Sequence, residues 1–323
     1  MRKRRRILLL IVLGALALLW LNNTSYFKDP IGQPLLIAHR GVAPEMDPEH
    51  EDATACIARI LPAEHRHIEN TIPSIQAAFD LDAAFVEIDV RRTADNQFVV
   101  FHDDVLDCKT EGSGFVADHT LGDLRALDVG YGYVTKDGRH PLRGLGIGLM
   151  PSLVDVLDNF PTQSFVINVK DNLGPHTDAF AKIVESRAQN EGRSLVIFGG
   201  EGTVSALRDL SPKLRSVSRE SAKRCVIDYM LIGWTGYVPA TCRNTATGMY
   251  ANYAWILWGW PHRFVERMEQ VGTIVILTHP YQTKSIHDLP ETSDYARQIP
   301  PGYSGAVVTN RIDKIIEWMS DAR

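Results

Sequence analysis

Val86-Glu87-Ile88-Asp89-Val90-Arg91-Arg92-Thr93-Ala94-Asp95-Asn96-Gln97-Phe98-Val99-Val100-Phe101-His102-Asp103 sets two runs of Val, Ile and Phe on either side of a polar Asp95-Asn96 centre. This is the pattern of two strands joined by a tight hairpin. With the turn centred between Asp95 and Asn96, facing positions sum to 191, so Asp89 stands opposite His102 and Glu87 lies two residues along on the same face. Two carboxylates at i and i+2 of a strand, with an imidazole beside them, suit a divalent cation and a proton-transfer group. A surface hairpin with its polar residues in water is the plainer alternative. Against it, the Val and Ile neighbours belong in a core, where inward carboxylates are costly without a function.

Outward from the hairpin, short β-branched runs alternate with amphipathic helical stretches from residue 34 onward. The predicted strands are Leu35 to His39, Phe85 to Val90, Phe165 to Lys170, Leu195 to Phe198, Leu214 to Val217, Met249 to Tyr253, Thr273 to Thr278 and Ala306 to Thr309. Phe98 to His102 is the hairpin return, outside the parallel count. Helices are predicted at Thr71 to Leu81, Ser152 to Phe160, Asp178 to Asn190, Thr203 to Leu210, Arg263 to Val271 and Arg311 to Asp321. Eight strands alternating with helices give an α/β fold, a (β/α)8 barrel over 34–323, with a doubly wound open sheet as the alternative. Two insertions, Pro44 to His67 and Asp104 to Gly148, follow strand ends and are expected to lie over the barrel mouth, where chemistry sits in such folds.

The 323 residues, 45% of them hydrophobic, suffice for a full core. A net charge of -5 provides no basic field for nucleic acid. At the N-terminus, Arg2, Lys3, Arg4, Arg5 and Arg6 precede the uncharged run Ile7 to Leu21. Residues 1–25 therefore read as a membrane segment. Its 15 apolar residues are fewer than the roughly 20 of a usual span, yet Asn22-Asn23-Thr24-Ser25-Tyr26-Phe27 offers no good small-x-small cleavage site. We expect an uncleaved single-pass anchor, basic end in the cytoplasm, with the barrel extracytoplasmic. Of the four cysteines, Cys225 and Cys242 can close one loop and Cys56 and Cys108 can meet beside the hairpin, although three pairings are open and four separate thiols is the alternative.

Ile37-Ala38-His39-Arg40-Gly41 delivers an imidazole and a guanidinium at the first strand end, with Gly41 allowing a sharp turn. Glu69-Asn70-Thr71 opens the first barrel helix, where Asn70 or Thr71 can act as a cap. His65 and His67 suggest a second metal pair, but loop histidines at i and i+2 are usually solvated. Gly199-Gly200-Glu201-Gly202 lacks the lysine and spacing of a phosphate loop and reads as a turn. Trp255, Trp258 and Trp260 read as core packing, with an apolar wall for an acyl chain as the alternative.

The ordered set His39-Arg40-Gly41, Glu69-Asn70-Thr71, Glu87-x-Asp89 and His102-Asp103 resembles the glycerophosphodiester phosphodiesterase family. The likeness is strong over 35–104, and Met150-Pro151-Ser152-Leu153 and Gly305-Ala306-Val307-Val308-Thr309-Asn310 are similar to later landmarks of that family. The resemblance implies a TIM barrel with an insertion after its second strand, at about 104–148 here. It implies one divalent metal ion, Ca or Mg, on Glu87 and Asp89, with His39 and His102 as the acid and base pair. Arg40 and Lys170 would bind the substrate phosphate and Glu69 would support them. Where the family usually has glutamate, this chain has Asn168, two residues before the retained Lys170. The implied reaction is hydrolysis of glycerophosphodiesters to sn-glycerol 3-phosphate and an alcohol. Lysophospholipase D-like cleavage of lysophospholipids is one alternative, and a catalytically silent barrel binding a phosphorylated ligand is another.

Overall fold

A computed structural model describes residues 2–27, 32–47, 58–189, 192–281 and 291–322. The chain forms α1 (Arg2–Asn23), β1 (Leu35–His39), β2 (Ala58–Ile60), α2 (Ile72–Asp80), β3 (Phe85–Arg92), β4 (Phe98–Val100), α3 (Leu121–Arg125), β5 (Tyr133–Thr135) and α4 (Leu153–Asn159). There follow β6 (Ser164–Val169), α5 (Thr177–Arg187), β7 (Leu195–Gly199), α6 (Glu201–Leu210), β8 (Arg215–Val217), α7 (Arg219–Ile232), β9 (Ala246–Tyr250), α8 (His262–Glu269), β10 (Ile274–Thr278), α9 (Ser293–Ala296), β11 (Ala306–Thr309) and α10 (Ile315–Asp321).

The strands β8, β7, β6, β3, β1, β11, β10 and β9 lie side by side in that order, every ladder between them parallel. At the remaining joint, between β8 and β9, Thr245 Oγ1 donates to Ser216 O at 2.9 Å. The sheet is thus a nearly closed (β/α)8 barrel, as the alternation predicted.

Period-two alternation sorts its side chains. Along β3, Val86, Ile88 and Val90 point outward and join Ile75, Ala78, Leu153, Val156 and Phe180 of the helical layer. Phe85 points inward to Ile37 of β1, Val166 of β6, Val196, Val217, Ala246 and Ala306. The inward row of β3 thus runs Phe85, Glu87, Asp89: apolar at the barrel floor, acidic toward the C-terminal mouth. The same parity places His39 above Ile37 and Asn168 above Val166.

Sequence and structure part at several places. The hairpin turn holds three residues, Ala94 to Asn96, with Thr93 N donating to Gln97 O and Asn96 in the left-handed region at φ 58°. Facing positions therefore sum to 190, with Val90 opposite Val100 and Arg92 opposite Phe98. An asparagine tolerates positive φ, which favours this longer turn over the two-residue one. The strand predicted at Met249 to Tyr253 begins at Ala246, because its register is set by parallel pairing of Ala246 with Ile274. Helix α7 follows β8 directly, capped by Ser218, whose side chain accepts from Ser221 N. The predicted last helix starts only at Ile315, since Arg311 is drawn aside by Glu45, Glu64 and Asp313.

The two insertions carry regular structure of their own. Residues of both pair in a second sheet, β2 with β5. They share a core of Ile60, Ile68, Val99, Phe101, Leu106, Leu124, Tyr133 and Leu142. Trp260 packs on the barrel core, but Trp255 is 72% exposed and Trp258 37%, so the core reading of those two is overturned.

Cys225 and Cys242 form a disulfide across a sequence separation of 17. Closing a loop of that length restricts the unfolded chain by about 3 kcal/mol in the entropic account. Cys56, the partner expected for Cys108, lies outside the described residues. Where a turn was expected at Gly199 to Gly202, Gly199 ends β7, Gly200 caps α6 and Gly202 lies in the helix's first turn, so strand passes directly into helix. Among the described residues no group of three or more His, Cys, Asp or Glu is arranged to hold a metal. His65 and His67 are half-buried and pack on each other, ring centroids 5.5 Å apart, with His67 N donating to His65 Nδ1 at 3.2 Å.

Candidate active site

The predicted site residues His39, Arg40, Glu69, Glu87, Asp89, His102, Asn168 and Lys170 converge at the C-terminal ends of β1, β3 and β6. Two residues with positive φ build the floor, Arg40 at 63° and Asn70 at 58°. Asparagine tolerates such a backbone, whereas for arginine it is uncommon and persists where the surroundings hold it. Here Arg40 N donates to Glu87 O at 2.9 Å and Asn70 N donates to Arg40 O at 3.0 Å, so both backbone groups of Arg40 are held. Gly41, at φ 80°, passes so near Ser74 that a Cβ would lie 2.7 Å from its hydroxyl. Only glycine fits there.

Thr71 is the cap of α2, its side chain accepting from Ser74 N. The Asn70 side chain, not needed as a cap, turns to Asp89 instead. Asn70 Oδ1 accepts from Asp89 N at 3.0 Å and its Nδ2 donates to Asp89 Oδ2 at 3.0 Å. Asp89 is fully buried. Arg40 Nε stands 3.1 Å from its Oδ2, and Lys170 Nζ lies 3.0 Å from Oδ1. Against the cost of burial, Arg40 and Lys170 hold the Asp89 carboxyl well below the usual range. Glu69 is held down similarly by Arg40, whose Nη1 bridges both its oxygens at 3.1 and 3.2 Å, and by Lys109 Nζ.

Glu87 is the exception. Burial and the neighbouring Asp89 charge push it up to about 8. Its Oε1 accepts from Asn168 Nδ2 at 3.0 Å, and the same amide nitrogen donates to Asp89 Oδ1 at 3.1 Å. Among the described residues, Glu87 Oε2 and Arg40 Nη2 are buried with no hydrogen-bond partner. One is an acceptor and the other a donor, and buried groups of this kind ordinarily find partners.

His39 Nδ1 lies 2.7 Å from Asn310 Oδ1, and its Nε2 lies 3.8 Å from Glu87 Oε2. Asn310 is itself fixed by Glu291, whose Oε2 accepts from Asn310 N at 2.6 Å while Oε1 accepts from Thr309 Oγ1 at 2.6 Å. His102 Nδ1 donates to Asp103 Oδ1 at 2.6 Å. Burial lowers the His102 pKa although Asp103 opposes it, which favours a neutral imidazole. With the register at 190, His102 does not face Asp89 across a ladder. It lies past the end of β4, where Arg91 Nε donates to its carbonyl at 2.8 Å while Arg91 Nη1 reaches Asp171 Oδ1 at 2.9 Å. His102 acts electrostatically on Asp89 and feels Arg40, and it is a loop rather than the strand pair that carries it.

Lys109 and Glu291 join the site without having been marked by the sequence, and Asn310, quoted only as the end of a later landmark, joins it as well. Lys109 lies within the insertion and Glu291 just ahead of α9; neither stands in a local pattern that singles it out. Asn310 directly follows a predicted strand end, the position where barrel folds carry function, and that signal was open to reading. Replacing Asn310 with alanine frees the His39 ring to rotate. We expect kcat to fall by about 10- to 100-fold with KM little changed, and an unaltered kcat would remove Asn310 from the site.

A nearly closed parallel barrel with an acid, guanidinium and imidazole cluster at its C-terminal strand ends defines the TIM-barrel class. Residues 62–204 match the model of the Glycerophosphoryl diester phosphodiesterase family. A glycerophosphodiester phosphodiesterase of Bacillus subtilis (strain 168) is 38% identical over 108 residues, 32% of this chain and 36% of that protein. Another, of Caldanaerobacter subterraneus, is 33% identical over 106 residues, 33% of this chain and 40% of that protein. The chain thus spans between a third and two fifths of the length of these curated relatives. Among solved structures, the glycerophosphodiester phosphodiesterase of Agrobacterium tumefaciens superposes with a TM-score of 0.56 at 17% identity, covering 88% of this chain and 100% of that one. An Oleispira antarctica phosphodiesterase in complex with the product sn-glycerol-3-phosphate gives 0.56 at 18% identity, covering 89% and 97%. Residues 62–204 are thus similar in sequence to the glycerophosphodiester phosphodiesterase family, and the fold is shared with solved barrels of that description.

Proposed function

We propose that this chain hydrolyses glycerophosphodiesters to sn-glycerol 3-phosphate and an alcohol. The observation that carries the reading is the convergence of His39 and His102 on a buried acid pair, with the Arg40 Nη2 donor lacking any partner within the described residues. Arg40 Nη2 and Lys170 neutralise the phosphodiester, which repels a nucleophile while its charge is uncompensated. One imidazole then takes the proton of the attacking hydroxyl or water as the new P–O bond forms. The other delivers a proton to the leaving alkoxide as the ester P–O bond breaks.

Glu87 and Asp89 are the groups to hold one divalent cation, Ca or Mg, with the Asn168 side chain beside them. The buried, unpartnered Glu87 Oε2 supports this, being a hard donor in excess of the local cations. Bound there, the ion supplies further neutralisation of phosphate charge. Asn168 is a weaker third group than a carboxylate, and here its amide nitrogen ties the two acids together. An Asn168→Glu chain is expected to bind Ca or Mg about tenfold more tightly by calorimetry. Unchanged or weaker binding counts against the assignment.

α1 is long and apolar enough to cross a membrane, with mean hydropathy 1.9 over its candidate span. Its 22 residues extend about 33 Å, with the uncharged run Ile7 to Leu21 as the hydrocarbon segment and the basic residues and asparagines at its two ends in the headgroup layers. We take it as an uncleaved single-pass anchor, basic end cytoplasmic, with the barrel extracytoplasmic. The test of the activity uses the full chain with glycerophosphocholine and with lysophosphatidylcholine, each with and without EDTA, following choline release. Turnover of the first alone supports the reading, turnover of the second assigns a lysophospholipase D-like activity, and none of either marks a binding protein.

A further inference from the structure

Helix α7 carries an apolar stripe on the side away from the barrel. Its inner face, Cys225 and Tyr229, is buried, whereas Ile227, Met230, Leu231 and, just beyond the helix, Trp234 are 45%, 40%, 68% and 47% exposed. The spacing i, i+3, i+4 puts the first three on one face, and Trp234 follows in the short 3-10 turn Gly233–Thr235. Trp258 extends the patch, its Nε1 donating to Met230 O at 2.9 Å. One turn before the stripe stand the exposed cations Lys223 and Arg224.

The end of α1 is bonded to this patch. Asn22 Nδ2 and Asn23 Nδ2 both donate to Trp234 O, at 3.0 and 2.8 Å. Arg267 Nη2 donates to Asn22 O at 2.7 Å, and Ser25 Oγ donates to Gly259 O, next to Trp258, at 2.8 Å. The uncharged run of α1 ends at Leu21. Residues that directly follow such a run sit at the boundary between hydrocarbon and water, the level at which tryptophan partitions and lysine or arginine meets anionic headgroups.

We propose that the outer face of α7, with Trp234 and Trp258, is a second membrane contact that seats the barrel on the lipid surface. The proposal rests on α1 being a membrane anchor. The bonds from Asn22, Asn23 and Ser25 hold the face at the depth where α1 leaves the bilayer. The face has the composition of an interfacial helix: apolar and aromatic on one side, with basic residues at one end. The barrel is then carried in one orientation rather than swinging on a tether.

The described residues contain no free cysteine, so a single introduced cysteine takes a fluorophore selectively. The full chain with Leu231→Cys, bearing an environment-sensitive label, is reconstituted in vesicles of phosphatidylglycerol and phosphatidylcholine. Lys182→Cys on α5 serves as the comparison. Expected are a blue shift and loss of most of the emission at 231 when spin-labelled lipid is added, with neither change at 182. Co-flotation with vesicles while the 231 label remains as wet as the 182 label overturns the proposal and leaves the anchor standing. Failure to co-float overturns both. Burial of the 231 label in detergent together with a doubled mass assigns the face to a second copy of the chain and also overturns the proposal.

Discussion

The His102→Ala chain is expected to hydrolyse glycerophosphocholine with kcat/KM lower by about 10²- to 10⁴-fold, the range that a positioned proton-transfer group contributes. His102 lies beyond β4, partly exposed, and its ring is bonded to Asp103, its neighbour in sequence. Truncation removes little packing, so the melting transition should stay near that of the parent and separate chemistry from folding. A His39→Ala chain should lose activity to a similar extent. The double variant should lose far less than the product of the two, because the residues serve one displacement. Undiminished turnover by folded His102→Ala would falsify the two-histidine reading.

The second large effect lies in stability. Glu87 is buried and lifted from its ordinary 4.5 to about 8. Above about pH 4.5 the unfolded chain releases this proton while the folded chain retains it until about 8. The folded state therefore binds the extra proton across that window, and stability falls as pH rises through it, by at most about 5 kcal/mol. In chelator, urea unfolding of the parent should show this decline, and Glu87→Gln should remove it. Asp89 acts with the opposite sign. Its carboxyl is depressed on folding, so its contribution is present above the unfolded value near 4 and is lost as pH falls further. Divalent cation should restore the parent above pH 8, because it binds the ionised Glu87, and should do little for Glu87→Gln. A parent chain with flat stability between pH 5 and 8, or a glutamine variant with the same slope, would contradict this account.

Much of the barrel was legible because its strands are buried on both faces and bounded by helices of different period. The runs at β1, β3, β6, β7, β8, β10 and β11 lie within a residue or two of where the sequence places them. β9 was misplaced because Ala246-Thr247-Gly248 has Thr247 as its one β-branched residue, and its extent is set by partners on β10. α7 went unread because Cys225 and Tyr229 face inward while its larger aliphatic residues face out, the reverse of the usual pattern. The insertions looked irregular because their apolar residues are far apart in sequence, and only the pairing of β2 with β5 brings them into one core.

The sequence by itself determined the barrel, the inward row of Glu87 and Asp89, and the histidine and arginine at the first strand end. Alternation along a strand is a local property, and it assigns each side chain to a face without reference to distant partners. Tertiary structure alone decided the register of the hairpin, since one residue more in the turn shifts every facing pair. It also decided which carboxylate stands apart. Glu69, Glu87 and Asp89 are alike as sequence, but Lys109 comes from an insertion to Glu69 and Lys170 from the end of β6 to Asp89. Glu87 meets the Asn168 amide and keeps one oxygen unpartnered. Charges brought together from separate segments set the protonation of buried acids, and no reading of one segment contains them.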